Sequence, residues 1–172
     1  PLEDFAGFME ADVWAKYTND SNKPLLNRAV QGIYPPGSVM KLITAITALE
    51  EGLVDPSKTI SCTGTYHYGD RDYRCWREIG HGSVNLSKAI VESCNIYFYQ
   101  LVQQIKLDSW HRYATMFGFG QKTGVEVSEE HDGIVPNTTF MDRKYGKRGW
   151  TKGYLLNMAI GQGDILATPL QM

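Results

Sequence analysis

The sequence of 172 residues has no apolar run long enough to cross a bilayer, which takes about 20 residues. Its best stretch, Leu42–Leu49, is short and carries two threonines. No charged start followed by an apolar segment marks a signal peptide. The opening Pro1-Leu2-Glu3-Asp4 lacks an initiator methionine, and the chain stops just after Thr168-Pro169. Both ends are therefore expected to be cuts within a longer protein, with any anchor or export signal lying before residue 1. A basic excess is also absent. Lys+Arg number 17 against 19 Asp+Glu, for a net charge of −2 and a pI near 6.1. That balance argues against a general nucleic-acid binder, which neutralises phosphates with clustered cations. There is no internal repeat and no low-complexity tract. Cysteine is scarce and odd in number. Cys62, Cys75 and Cys94 can form one bridge plus a free thiol, remain three thiols, or serve as metal ligands.

What is present is a globular composition, with 42% hydrophobic and 12% aromatic residues, enough to bury a core. The length suits one domain. Residues 1–36 read as irregular and rich in turn formers. Tyr34-Pro35-Pro36-Gly37 forces an extended approach, because each proline fixes its φ and disfavours helix just before it. Val39, Leu42, Ile43, Ile46 and Leu49 then recur at helical spacing, and Gly52 suits the helix stop. Ser38 is thereby placed at the N-terminus of that helix. Residues 53–85 read as polar and turn-rich, with a short strand at Thr59–Cys62. Further helices are expected over Leu86–Glu92, Ile96–Ile105 and Asp108–Phe117. A short strand is expected at Gly124–Val127, a loop over 128–150 and a helix start at Thr168-Pro169. The fold class is mainly α with short strands.

Four patterns could carry chemistry. Ser38-x-x-Lys41 puts both side chains on one face of a helix. A serine hydroxyl needs a base, and a lysine amine serves if desolvation lowers its pKa. N–H groups at the helix start suit a developing oxyanion. The plain alternative is an N-cap serine followed by a solvated lysine. Ser93-Cys94-Asn95 interrupts two helices, so its polar groups can face a cleft. The competing Ser83-Val84-Asn85 reads better as an N-cap at Asn85. Lys122-Thr123-Gly124 follows a turn at a helix end and is set aside as a catalytic motif. Cys62-x12-Cys75-x5-His81-x12-Cys94 offers three thiolates and one imidazole, the donor types of a closed tetrahedral zinc site. Its long spacing leaves buried thiols or a disulfide open. His67, His111 and His131 have no partners nameable from sequence. Tyr97, Phe98, Tyr99, Trp110, Tyr113 and Phe117 read as core.

Taken together and in order, these segments resemble class B penicillin-binding proteins, and within them the elongation-specific branch. The resemblance rests on Asn27-Arg28-Ala29, Gln31-Gly32, Tyr34-Pro35-Pro36-Gly37-Ser38 with Lys41, and Ser93-Cys94-Asn95 with Tyr97-Phe98-Tyr99-Gln100. It continues through Phe117-Gly-Phe-Gly120, Thr123-Gly124, Asn157-Met-Ala-Ile-Gly-Gln-Gly163 and Thr168-Pro169-Leu170-Gln171. It implies a peptidoglycan D,D-transpeptidase whose Ser38 attacks the D-Ala-D-Ala bond of a stem peptide and which β-lactams acylate. Lys41 would be the general base, Ser93 would relay protons and orient Lys41, and Asn95 would bind the substrate amide. Some members of this branch hold a structural metal whose last ligand is the cysteine inside the second motif. That implies zinc on Cys62, Cys75, His81 and Cys94. The resemblance further implies the periplasmic side of the inner membrane, with a membrane glycosyltransferase of the elongation complex as partner.

The chain departs from that family in extent. In that family the third, Lys-Thr-Gly motif lies on a later strand and further strands precede the nucleophile region, so the resemblance implies that both are to be expected outside residues 1–172. Residues 1–172 are expected to be the helical part of the α+β, serine β-lactamase-like transpeptidase fold. Most of its central sheet is then missing. The chain alone is expected to acylate poorly and to expose apolar surface. Two other readings stay open: a noncatalytic zinc-stabilised scaffold, and a serine β-lactamase or β-lactam sensor. Loss of penicillin labelling in a Ser38→Ala variant separates the first, and turnover of a chromogenic cephalosporin the second.

Overall fold

A computed structural model describes residues 2–127 and 129–172. Seven helices occur among them: α1 (Ala11–Asn19), α2 (Met40–Glu50), α3 (Leu86–Val91), α4 (Asn95–Val102), α5 (Leu107–Met116), α6 (Thr138–Tyr145) and α7 (Lys152–Ala159). Four short strands pair as two antiparallel ribbons. β1 (Ile60–Cys62) pairs with β4 (Gly82–Val84), and β2 (Thr65–Tyr68) with β3 (Arg71–Arg74). No larger sheet is formed among the described residues. The expectation of a mainly helical molecule with short strands holds.

Helix α2 is central, packing on α4, α5 and α7. Its buried face is Met40, Ile43, Thr44, Thr47 and Ala48, a stripe at i, i+3, i+4, i+7 and i+8. The sequence pointed instead to Val39, Leu42, Ile43, Ile46 and Leu49. Of these Ile43 is buried, while Val39, Leu42 and Leu49 are exposed. The threonines are admitted to the core because their hydroxyls are satisfied there. Thr47 Oγ1 donates to Ile43 O at 2.8 Å. Thr44 Oγ1 bonds Met40 O at 3.0 Å and Ala159 O at 3.2 Å, and accepts from Trp110 Nε1 at 3.1 Å. One hydroxyl thus ties α2 to α5 and α7, and an apolar face of α2 is left uncovered.

Several other expectations are corrected. Residues 1–36 are not wholly irregular, since α1 forms there. It buries no residue, which is why no core-facing stripe announces it. The ring of Phe5 lies 5.2 Å from that of Tyr17. The turn-rich 53–85 region contains the β2–β3 hairpin, closed at Gly69-Asp70, where Gly69 takes φ 65° as a tight two-residue turn requires. Gly124–Val127 is not a strand. Val125 and Val127 are exposed and no strand lies beside them to complete a ladder. The expected loop over 128–150 holds α6, capped by the Asn137 side chain, which accepts from Phe140 N at 2.8 Å. Ser128 lies outside the described residues. Phe117 is exposed, not core. Helix α7, not among the expected helices, is capped by Thr151, whose Oγ1 accepts from Gly153 N. At Thr168, Gln171 N donates to Thr168 Oγ1 and Thr168 N to Gln171 Oε1, a reciprocal cap over a single turn, and no helix is formed over residues 168–172. Asn85 caps α3 as expected, accepting from Lys88 N at 3.0 Å.

Candidate active site

Ser38 lies in a 3-10 turn, Gly37–Val39, that leads into α2. The turn is held from the side by the residues after α7. Gly37 N donates to Gly161 O at 2.9 Å. Gly161 has φ 73°, and a Cβ there would meet Gly37 O at 2.0 Å. Only glycine permits this approach of the two backbones, so Gly161 fixes where Ser38 begins.

Ser38 is exposed, while Lys41, one turn along the same face, is only 3% exposed. Lys41 Nζ donates to Ser93 O at 2.7 Å, Ser93 Oγ at 2.8 Å and Asn95 Oδ1 at 2.7 Å. Its three N–H donors are thereby matched. Ser93 Oγ lies 3.0 Å from Ser38 Oγ. A continuous line runs Ser38 Oγ–Ser93 Oγ–Lys41 Nζ, from an exposed hydroxyl to a buried amine. Burial pulls the Lys41 ammonium down to about 8, with the Cys75 and Cys94 sulfurs pulling it back up. A base that titrates near neutrality is thus available.

Ser93 occupies the left-handed region, at φ 49°. This is unusual for serine and costs about 1 kcal/mol or more. The turn that imposes it lies between α3 and α4 and is closed by Ser93 N to Ile90 O at 3.1 Å and Cys94 N to Ala89 O at 2.9 Å. Asn95 opens α4. Its Nδ2 donates to Arg74 O at 3.2 Å, fastening the turn to β3.

Cys94 points the other way, into a corner shared with Cys62, Cys75 and His81. All four are buried and their donor atoms lie within 4.8 Å of one another. None of the cysteines is bridged. His81 Nδ1 is 3.6 Å from Cys62 Sγ and 3.5 Å from Cys75 Sγ. Zinc bonds of about 2.3 Å to sulfur and 2.0–2.1 Å to nitrogen set neighbouring donors about 3.5–3.8 Å apart in a tetrahedron. The two imidazole–sulfur distances already have that value. The widest pair needs to close by about 1 Å. His81 Nε2 is buried with no hydrogen-bond partner, and Glu92 Oε2 is 4.0 Å away. A carboxylate facing the free ring nitrogen is the usual support of a ligating histidine. Burial opposes ionisation of Cys75, yet the N–H groups of Arg77, Asn95 and Ile96 together hold its thiol below the ordinary value. Burial pushes the Cys94 thiol up to about 12 and pulls His81 down. The donor set therefore fits a metal ion, which would deprotonate the thiols and meet a neutral imidazole.

A cleft of about 420 Å³ opens over Ser38, Ser93 and Asn95, walled by Trp76, Ile160 and Gln162. Trp76 is anchored by Nε1 to Glu92 O at 3.0 Å and stands edge-on to His81. A second cavity, about 650 Å³, lies between the tip of the β2–β3 hairpin and α7. Of the residues singled out in the sequence, Ser38, Lys41, Ser93 and Asn95 are brought together, and so are the four donors. Lys122-Thr123-Gly124 is not brought to the cleft. Thr123 N and Oγ1 both donate to the buried carboxylate of Glu130. His67 pairs with Asp72 on the surface, and His111 bonds Val135 O.

Residues 9–172 match the penicillin binding protein transpeptidase domain. The chain belongs to that family. It is 44% identical over 161 residues to a peptidoglycan D,D-transpeptidase MrdA of Acinetobacter baumannii, covering 92% of this chain and 24% of that protein. The penicillin-binding protein PBP2 of Helicobacter pylori, solved in complex with MreC, superposes with a TM-score of 0.90 at 39% identity. That match covers 99% of this chain and 32% of PBP2. A solved peptidoglycan synthase complex coordinating polymerization and crosslinking matches with a TM-score of 0.86 at 38% identity, over 97% of this chain and 28% of that one. The chain spans about a quarter of the length of the curated relative it matches. The family and fold inferred from the ordered motifs therefore hold, and the relatives are enzymes of the expected class.

Sequence reasoning did not assign roles to Gly161, Gln162 or Trp76. The first two lie in the quoted Asn157–Gly163 segment, whose glycines were the available signal. Trp76 was signalled only by its place beside Cys75.

Proposed function

We propose that residues 1–172 are the helical part of the transpeptidase domain of a peptidoglycan D,D-transpeptidase that works through an acyl-enzyme on Ser38. The observation that carries this is the line from exposed Ser38 Oγ through Ser93 Oγ to buried Lys41 Nζ, with steps of 3.0 and 2.8 Å. Ser38 Oγ attacks the carbonyl of a terminal D-Ala-D-Ala bond. Its proton passes to Ser93, whose own hydroxyl proton passes to neutral Lys41. Collapse of the adduct breaks the C–N bond, and D-Ala leaves with a proton returned along the same line. An amine of a second stem then attacks the ester. β-Lactams acylate the same oxygen. Asn95 Nδ2 keeps one N–H beyond its bond to Arg74, and that hydrogen is available to the substrate amide.

Zinc is the ion that the thiolate and imidazole donors of Cys62, Cys75, His81 and Cys94 would hold, and it would supply a fixed crosslink there. With Cys94 fixed, the backbone on either side of it is fixed too, which sets Ser93 and Asn95 against Lys41.

The parent protein is placed on the periplasmic side of the inner membrane, with stem peptides and β-lactams as ligands. A membrane glycosyltransferase of the elongation complex is its partner. The relatives solved with MreC and in a peptidoglycan synthase complex that coordinates polymerization and crosslinking support the assignment of a polymerising partner. No helix among the described residues is long and apolar enough to cross a membrane. The uncovered face of α2 supports the view that these residues acylate poorly by themselves.

Treating the full-length parent protein with benzylpenicillin and mapping the adduct by peptide mass tests the reading. One penicilloyl group on the peptide carrying Ser38, absent in Ser38→Ala, is expected. An adduct elsewhere, or undiminished labelling of Ser38→Ala, overturns it.

A further inference from the structure

We propose that the cavity between the β2–β3 hairpin and α7 holds the acceptor peptide, the one whose amine resolves the acyl-enzyme, and that Arg71 binds its carboxylate. This rests on the acyl-enzyme reading of Ser38. A transpeptidation joins two peptides, so a donor cleft alone is half of a binding site.

The 650 Å³ cavity and the Ser38 cleft share no lining residue, but adjacent stretches of the same two chain segments line both. On one side, β3 carries Arg71 and Tyr73 in the cavity and Arg74, whose carbonyl accepts from Asn95, and Trp76, two residues past the strand, lines the Ser38 cleft. Three residues of chain span at most about 10 Å, so Tyr73 and Trp76 lie within that distance of each other. On the other side, Asn157 lines the cavity while Ile160 and Gln162 line the cleft. Asn157 O accepts from both Ile160 N and Gln162 N, so this wall is one continuous piece. A peptide in the cavity therefore reaches the acyl group within a few residues.

The lining matches a peptide bearing a carboxylate. Tyr68, Tyr73 and Tyr154 offer apolar faces with polar tips. The Asn157 side chain has no hydrogen-bond partner among the described residues, leaving a donor and an acceptor for a peptide group. Arg71, on the hairpin, makes no ion pair among the described residues, even with its neighbour Asp70. An unpaired guanidinium beside a cavity suits a carboxylate, which it can bind by two parallel hydrogen bonds. In the transfer step the acceptor nitrogen forms a C–N bond to the acyl carbon as the C–Oγ bond breaks. The nitrogen gives up one proton and Ser38 Oγ gains one.

The test uses the full-length parent protein, a pentapeptide donor ending in D-Ala-D-Ala, and two synthetic acceptors. One is a tripeptide with a free amine and a C-terminal carboxylate. The other is the same tripeptide as its C-terminal amide. The wild type should reach half-maximal transfer at about tenfold lower concentration of the carboxylate form. Arg71→Ala should abolish that preference, and Arg71→Lys should restore part of it. Arg71 is exposed, so the variant's melting temperature should match the wild type. A preference that persists in Arg71→Ala, or no preference in the wild type, overturns the inference and means that something other than an acceptor occupies the cavity. If Ser38 is not acylated by penicillin, the acyl-enzyme reading fails as well. Acylation with an unaltered acceptor preference sinks this inference alone.

Discussion

Ser93 and Cys94 are neighbours in the turn between α3 and α4, yet their side chains enter opposite environments. Ser93 is half-buried and hydrogen-bonds the exposed nucleophile candidate. Cys94 is fully buried among two other thiols and an imidazole. The polar side must stay open to substrate, so it cannot be braced by packing across the cleft. The closed side has no such constraint and can brace the shared backbone. A strained φ at Ser93 persists only where its surroundings over-determine it. Here those surroundings are the two turn hydrogen bonds, the Asn95 bond to Arg74, and the corner that holds Cys94. Reactivity and rigidity are thus divided between adjacent residues.

The division can be broken one side at a time. Ser93→Ala removes the relay and leaves the four donors intact. Its acylation rate with penicillin should fall by about 10²–10⁴-fold, while the metal content by elemental analysis stays at the wild-type level. A drop in both would show that the two sides are not separable. The pH profile is the next largest effect. Lys41 must be neutral to accept a proton, and its pKa is near 8. Acylation should therefore rise about tenfold per pH unit below that value and level off above it. A flat stopped-flow profile from pH 6 to 9 contradicts the role of Lys41 as base. Glu92→Gln touches only the closed side, through His81 Nε2. Zinc affinity, measured by chelator competition, should weaken about 10–100-fold. Penicillin acylation at saturating zinc should change far less.

How much of this was legible in the sequence depended on range. Ser38 at a helix start followed from Pro35-Pro36-Gly37 and the spacing after it, all local signals. The buried face of α2 did not follow, because Thr44 and Thr47 count as polar until Trp110 and the helix carbonyls are seen to satisfy them. The β2–β3 hairpin was missed because its strands are only four residues each and mostly exposed, so the alternation of Tyr66 and Tyr68 with Thr65 and His67 is too short to stand out. Helices α6 and α7 are two turns each and announce themselves chiefly by Asn137 and Thr151 as caps. The thiol–imidazole set was legible by residue type and by resemblance. Its closure depends on β1 pairing with β4, which no spacing rule shows. The contact of Gly161 with Gly37 and the bond from Lys41 to the Ser93 carbonyl join segments far apart in sequence, and they emerge only from the fold.

The most direct test of the braced turn is the penicillin acylation rate of the full-length parent protein in three states: as purified, stripped by chelator with metal loss verified, and reloaded with zinc. The stripped protein should acylate about 100-fold more slowly, the scale expected when a catalytic group drifts by about 1 Å. Reloading should restore the rate. An unchanged rate in verified metal-free protein would contradict the coupling of the closed corner to Ser93 and Asn95.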